Sequence, residues 1–313
     1  MRVVVFGYMT WGHRTLEAVL DAGHAVPLVV THPDGDDPYE QIFNDSVADL
    51  ACRHGIPVSV RTRADDAEIA ARVAAARADA IVVANWRTRI PPTVYDVPRL
   101  GTLNVHDSLL PAYAGFAPLN WALINGEPEV GVTAHLMNAE FDAGDIVLQR
   151  ATPVGDEDTI VELFDRTLAM FGPIAVESLA LLAGGRTDWA PQNRRKASYF
   201  HRRGDAENRI DWSWPARDIA NLVRAQTDPY PNAYCFHNGH RLHVLEARVT
   251  ETCFGGTPGR ISLRDDRGGV VVVAGPRARK GQNPGLSVRR VRTEDGRVLT
   301  AAEYFVRLGG YLT

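Results

Sequence analysis

Between residues 1 and 190 the chain alternates short apolar runs with stretches of helical period, and nothing else in it limits the fold as much. That alternation predicts a parallel α/β sheet. Val3-Val4-Val5-Phe6 reads as a buried strand ending at Gly7, followed by a helix with Leu16, Val19 and Leu20 on one face and Gly23 at its close. Val26 to Val30 is the second strand, and a turn-rich loop then passes Pro33, Gly35 and Pro38. Ser46 caps the next helix, which carries Val47, Leu50 and Ala51. Pro57-Val58 and Ala80-Ile81-Val82-Val83 are strands on either side of an Ala-rich helix over 66–77. Residues 156–184 are helical, with Ile160, Leu163, Phe164, Leu168 and Phe171 in register and Gly184-Gly185 at the end.

The chemistry concentrates between Gly101 and Asp145. Leu103 and Val105 alternate with Asn104 and His106, the period of a strand, which puts the amide and the imidazole on one face. Pro111 forces the chain out of that strand. A second apolar run, Gly131 to Met137, leads to the carboxylate of Asp142 and to Gly144, which permits a sharp turn. Candidates at the carboxyl ends of strands lie where open α/β sheets bind ligands. Asn104, His106 and Asp142 form a plausible catalytic set without a Ser or Cys nucleophile. Ser108 lacks the Gly-x-Ser-x-Gly elbow and reads as a turn hydrogen bonder.

This stretch resembles the signature of the formyltransferases that use 10-formyltetrahydrofolate, Asn-x-His-x-Ser-Leu-Leu-Pro followed by an Asp-x-Gly turn. The matching residues are Asn104, His106, Ser108, Leu109, Leu110, Pro111, Asp142 and Gly144. Arg209-Ile210-Asp211-Trp212, Val223-Arg224-Ala225 and Asp228-Pro229-Tyr230-Pro231 resemble the opening of the family's C-terminal domain. The resemblance implies a Rossmann-like parallel-sheet formyltransferase domain over 1–188, a linker over 189–206 and a small OB-like β-barrel over 207–313. The residues agree: 189–206 is polar, basic and broken by Pro191, and short strands follow at 233–237, 241–249, 259–264, 269–274 and 286–292. A chain of 313 residues is also expected to form two domains.

By the same resemblance Asn104, His106 and Asp142 are catalytic, and N10-formyltetrahydrofolate is a co-substrate with no metal required. The loop Asn85 to Pro92 meets the pterin near Ile90, so Arg87, Ile90, Leu136, Asn138, Ala139 and Asp142 are expected to contact the folate. Tyr8, Trp11, Asp107, Ser108 and Phe116 are expected to contact the acceptor.

Three acceptors compete: initiator methionyl-tRNA, a 4-amino-deoxy sugar nucleotide, and N5-hydroxyornithine in hydroxamate siderophore assembly. The tRNA enzymes carry a basic insertion after the second strand; here Thr31 to Glu40 is acidic, which disfavours tRNA. The arginines expected after Leu-Leu-Pro in the tRNA and lipid-A-sugar enzymes are replaced by Ala114 and Phe116, and Asp107 follows the catalytic histidine. Those departures remove cations that suit phosphates and add an anion that suits an ammonium, so the expected partner is a small-molecule amine; the stretch His106 to Phe116 resembles the hydroxyornithine formyltransferases of hydroxamate siderophore assembly, which implies hydroxyornithine first. A non-enzymatic folate-binding regulatory module is the remaining alternative, and a homodimer the assembly considered.

Composition narrows the rest. A 45% hydrophobic and 23% charged chain is ordinary globular material, and no apolar run in it approaches a membrane span. Three scattered cysteines, Cys52, Cys235 and Cys253, suit a reduced compartment, and the N-terminus enters a strand directly, so a cytoplasmic location is expected. Residues 207–313 hold 16 Lys and Arg against 11 Asp and Glu, a net +5, and the rest of the chain 18 against 27, a net −9. The cluster Arg277, Arg279, Lys280, Arg289, Arg290 and Arg292 reads as a solvated face rather than an RNA site. His237, His240 and His243 have a tempting spacing for metal, but Asn238-Gly239 between apolar alternations is a hairpin turn. Gly7 and Gly12 are too far apart for a dinucleotide fingerprint, which excludes NAD(P).

Overall fold

The computed structural model describes residues 1–35, 43–277 and 283–313. Its strands are β1 (Val3–Gly7), β2 (Val29–Thr31), β3 (Val58–Val60), β4 (Ala80–Ala84), β5 (Thr102–His106), β6 (Ala114–Gly115), β7 (Glu129–Leu136), β8 (Ile146–Pro153), β9 (Tyr199–Phe200), β10 (Tyr234–His237), β11 (His240–Phe254), β12 (Ile261–Arg264), β13 (Val270–Val272), β14 (Asn283–Thr293) and β15 (Val298–Thr300). The helices are α1 (Met9–Asp21), α2 (Val47–Arg53), α3 (Ala67–Ala76), α4 (Pro92–Tyr95), α5 (Pro118–Ile124), α6 (Ile160–Ala183), α7 (Ala216–Ala225) and α8 (Ala301–Tyr304). Contacts divide the chain into one unit of Met1–Leu119, Glu129–Pro153 and Phe164–His201, and another of Asn120–Pro128, Val154–Leu163 and Arg202–Thr313.

The first unit is built on a seven-stranded sheet in the order β3-β2-β1-β4-β5-β7-β8. From β3 to β5 every pairing is parallel, as the alternation of strands and helices requires. β7 and β8 depart from the expected parallel sheet and pair antiparallel. No helix intervenes between them, so the chain returns through a turn at 137–145 instead of a crossover. Along β1 the side chains alternate between two cores: Val3 and Val5 pack with residues of α1, α2 and α6, and Val4 and Phe6 with residues of α3 and α4. Burial on both faces explains why the strand sequences are continuously apolar. The order reverses between β1 and β4, which opens a crevice at their carboxyl ends.

Gly12 lets α1 begin against β1, since a Cβ there would lie 2.5 Å from the Gly7 carbonyl carbon. Against the expectation that no apolar run approaches a membrane span, α6 spans 24 residues and is, by length and composition, apolar enough to cross one. Its Phe171, Ile174, Ala175, Leu179 and Leu182 are buried in the core shared with the sheet.

The second unit is an antiparallel sheet in the order β10-β11-β14-β13-β12, with β15 on β14. All five expected strands are present, and Asn238 (φ +52°) with Gly239 (φ +82°) makes the tight turn between β10 and β11. The last residues join the sheet's two edges: Leu312 bridges His237 of β10, and Tyr311 bridges Arg260 beside β12. That closure makes the barrel. Ile219, Leu222 and Val223 of α7 fill its interior with Val244, Val272, Leu286, Val288 and Leu312.

Candidate active site

β5 buries Leu103 and Val105 in the core and leaves Asn104 and His106 part-exposed on the opposite face. The antiparallel register of β7 then sets His135 opposite Asn104. The turn after β7 brings back Asp142, whose Oδ1 lies 3.4 Å from Asn104 Nδ2 and whose Oδ2 lies 3.9 Å from His106 Nδ1. The three expected catalytic side chains therefore meet. Asp142 Oδ2 also accepts from the Gly115 backbone N–H at 2.9 Å.

Backbone carbonyls fix the tautomers, because a carbonyl can only accept. His106 Nε2 lies 3.0 Å from the Tyr113 carbonyl and donates to it, which turns Nδ1 toward the carboxylate of Asp142. His135 Nδ1 donates to the Leu136 carbonyl at 3.0 Å, so its Nε2 accepts from Asn104 Nδ2 at 3.1 Å. Burial lowers the pKa of His135, with the His106 charge adding to it and the Asp142 charge opposing. A neutral His135 thus orients the Asn104 amide. The sequence lists this histidine in an apolar run, and only the pairing register of β5 with β7 brings it to the site.

The turn depends on unusual backbone. Asp142 lies at φ +49°, and a Cβ on Gly144 would stand 1.6 Å from the Leu136 carbonyl oxygen. Only glycine permits that approach.

The residues expected around the folate gather in the same unit. Arg87 lies with its guanidinium over the Tyr8 ring, 4.8 Å from the centroid, and its backbone N–H donates to His32 Nε2 at 3.1 Å. Burial holds the pKa of His32 down at about 4, with Arg87 adding to the effect, so the ring stays neutral, stacked 3.9 Å from Trp86. Ile90 is buried among Phe6, Val30 and Val83. The next loop closes on this one where Arg89 donates to the Ala139 carbonyl at 2.9 Å. Asn138 accepts from the Glu140 N–H at 2.9 Å, and Leu136 packs at the edge of the core.

The expected acceptor contacts divide. Ser108 Oγ donates to the Ala112 carbonyl at 2.9 Å, the turn bond anticipated for it. Phe116 is 40% exposed and stacks on Phe141, 52% exposed, beside Asp142. Asp107 points elsewhere: it shares the face of Leu103 and Val105, and its Oδ2 accepts from Trp11 Nε1 at 3.3 Å. Its carboxyl end is buried although part of the residue reaches the surface, and Oδ1 has no hydrogen-bond partner. Burial pushes its pKa up to about 6, against the pull of Trp11, Thr167 and the His106 charge. Trp11 itself packs edge-on to Phe43 and Phe164. The alternation that unites Asn104 with His106 thus sends Asp107 to the other side of the sheet, where Trp11 of α1 meets it.

Other expectations resolve simply. Of the acidic stretch 31–40, residues Asp36 to Glu40 lie outside the described residues, as does Pro38 of the turn-rich loop; so do Arg279 and Lys280 of the basic cluster. Arg292 pairs with Asp228 at 2.7 Å and Arg289 with Glu246 at 3.6 Å. The three C-terminal histidines turn to separate partners, Tyr304, Glu294 and Asn232. Among the described residues no cluster of metal-binding side chains occurs.

Comparison with known proteins places the chain in a family. The family model described as Formyl transferase matches residues 1–178, and that described as Formyl transferase, C-terminal domain matches residues 204–309. The fold is similar to HypX from Aquifex aeolicus, solved in complex with tetrahydrofolic acid, at 20% identity and a TM-score of 0.59 over 97% of this chain and 47% of that one. The chain thus spans about half the length of the HypX structures it matches. It is also similar to an N-formyltransferase from Helicobacter canadensis solved with folinic acid and dTDP-3-aminofucose, at 18% identity and a TM-score of 0.65 over 91% of this chain and 98% of that one. Glycinamide ribonucleotide transformylase 1 from Symbiobacterium toebii matches at 26% identity and a TM-score of 0.51 over 61% of this chain and 93% of that one. Both domains of one enzyme family, in order, account for most of the sequence: this chain belongs to the formyl transferase family.

Proposed function

We propose that the chain transfers a formyl group from N10-formyltetrahydrofolate to the amine of a small molecule, with Asn104, His106 and Asp142 as its catalytic residues. The convergence of these three side chains carries the proposal. The loops at 85–90 and 136–140, tied by Arg89 to Ala139, suit the flat ring and polar edge of a pterin.

The reaction forms a carbon–nitrogen bond between the acceptor amine and the formyl carbon and breaks the bond from that carbon to N10. The formyl oxygen gains negative charge on the way. Asn104 Nδ2 supplies a donor to it by giving up its long 3.4 Å contact with Asp142, while His135 holds the other amide hydrogen. His106 turns Nδ1 toward the Asp142 carboxylate and lies along the path of the proton that Asp142 takes. Asp142 takes the proton from the attacking nitrogen, and that proton ends on N10 as it leaves.

For the acceptor we favour N5-hydroxyornithine, on the absence of cations at Ala114 and Phe116, where a phosphorylated acceptor would need them. Asp107 no longer supports this choice, because its carboxyl faces Trp11. A sugar nucleotide is the second reading, favoured by the exposed Phe116–Phe141 pair, which offers an aromatic face to a base. A tetrahydrofolate-release assay with ornithine, N5-hydroxyornithine, an amino-deoxy sugar nucleotide and charged initiator tRNA separates the cases. Turnover with hydroxyornithine alone is expected. Turnover with the sugar alone would keep the chemistry and reverse the choice of acceptor, and no turnover with any would remove the enzymatic reading.

A further inference from the structure

The stretch expected to be a linker is tied to the site. Ala190 exchanges backbone hydrogen bonds with Ile146 at 2.8 and 3.2 Å, Gln192 Nε2 donates to the carbonyls of Asp142 at 2.9 Å and Gly144 at 2.7 Å, and Arg194 pairs with Glu140. Farther on, Ser198 accepts from the Tyr113 N–H on Oγ at 2.9 Å, and Phe200 receives the Phe116 N–H at 3.0 Å. One strap therefore holds both the turn that carries Asp142 and the loop whose Gly115 N–H bonds the Asp142 carboxylate.

Gln192 is the centre of that grip. The Asp142–Gly144 turn lies outside the strand ladder, so its carbonyls need donors from elsewhere. One amide nitrogen has two hydrogens and gives one to each. Asp142 at φ +49° sits in a backbone region that persists only where surrounding structure enforces it. We propose that Gln192 is a positioning residue for formyl transfer: by clamping the Asp142 and Gly144 carbonyls it fixes the angle at which the Asp142 carboxylate meets Asn104 and His106. The proposal rests on the function proposed above for what the carboxylate does, but not for where it is held.

The test uses the full chain with Gln192→Met, which keeps the volume without the donors, and Gln192→Glu, which sets a carboxylate against the two carbonyls. Gln192 is only part-buried, so both variants are expected to fold. Each should lose about 10- to 100-fold in kcat, with the KM for the folate donor within about twofold. In an Asp142→Ala background Gln192→Met should cost nothing more, because the group it positions is gone; full additivity would overturn the role. Hydrogen exchange at the Gly115 amide supplies a readout without catalysis, since that amide donates to Asp142 Oδ2. It should exchange faster in Gln192→Met, as in Asp142→Ala, while β1 and β4 amides keep their protection. Unchanged Gly115 protection defeats the proposal whatever the kinetics. A wild type that transfers no formyl group sinks the function instead, and the exchange rates still decide whether Gln192 holds the carboxylate.

Discussion

Asp142 and Asp107 are two carboxylates of one site region put to opposite uses. Asp142 accepts the Gly115 N–H and faces Asn104 and His106, so Asp142→Asn, which keeps the shape without the charge, should lower kcat by about 10²- to 10⁴-fold. Folate affinity, measured by fluorescence titration, should hold; its loss in parallel would mean that the residue serves binding. Asp107 is buried with one oxygen unpartnered, and its pKa is raised from 3.8 to about 6. Between those values the unfolded chain releases this proton and the folded chain keeps it, so the group removes stability as pH rises from about 4 to about 6. Asp107→Asn abolishes that penalty: relative to wild type it should gain about 3 kcal/mol across this window and hold the gain above it. Urea midpoints of both proteins at pH 4, 5, 6 and 7 check the sign, and a constant difference would refute the buried ionisation. The meeting of Asn104, His106 and Asp142 was legible because a period of two, a turn glycine and the resemblance to the formyltransferase signature are written in the sequence. His135 was not, since it reaches Asn104 only through the register between two strands. Asp107 was misread from its chemistry when its parity with Leu103 and Val105 already placed it on the other face.

At the scale of elements, the site is a matter of returns: β7 and β8 run antiparallel where the rest of the sheet is parallel, and the turn between them carries Asp142. β1, β2 and β4 were readable because burial on two faces leaves unbroken apolar runs, and β5 because its apolar and polar residues alternate. The antiparallel edge was not, because apolar content does not report strand direction. Nor was the strap at 190–200 readable, since a polar, proline-broken stretch looks the same whether its donors meet water or carbonyls. Gly144 marks a place in the turn where backbone geometry can be tested directly. A Cβ there would stand 1.6 Å from the Leu136 carbonyl oxygen, and backbone cannot give way as a flexible side chain would. Gly144→Ala must displace the turn, and a misplacement of about 1 Å costs about 100-fold. Tetrahydrofolate release should fall by at least that factor, with circular dichroism showing the sheet intact. Wild-type kcat in this variant would mean the turn is free to move without consequence.

On the scale of the whole chain, the opposed charges of the two halves describe surface and not fold, whereas the closing residues of the sequence complete a barrel. The five strands over 233–292 were legible from their alternation and turns, but nothing in Gly-Tyr-Leu-Thr announces that it joins β10 to β12. Phe236 and Thr313 exchange hydrogen bonds at 2.7 and 3.0 Å, and Ile261 N–H donates to the Gly310 carbonyl at 3.0 Å. Leu312 is buried at 2% exposure in the core of this unit and anchors the segment between those bonds. Truncating it removes the anchor and leaves a cavity, at a cost of about 2 to 5 kcal/mol for a buried leucine. Hydrogen exchange locates the loss better than a single unfolding midpoint, because a chain of two units need not unfold in one step. In Leu312→Ala the Phe236 and Ile261 amides should exchange faster by about 30-fold or more, the lower end of that energy range, while amides of β1, β4 and β5 keep wild-type rates. Equal acceleration everywhere would show that the two units open together. No acceleration at Phe236 and Ile261 would show that the barrel stays closed without its last residues.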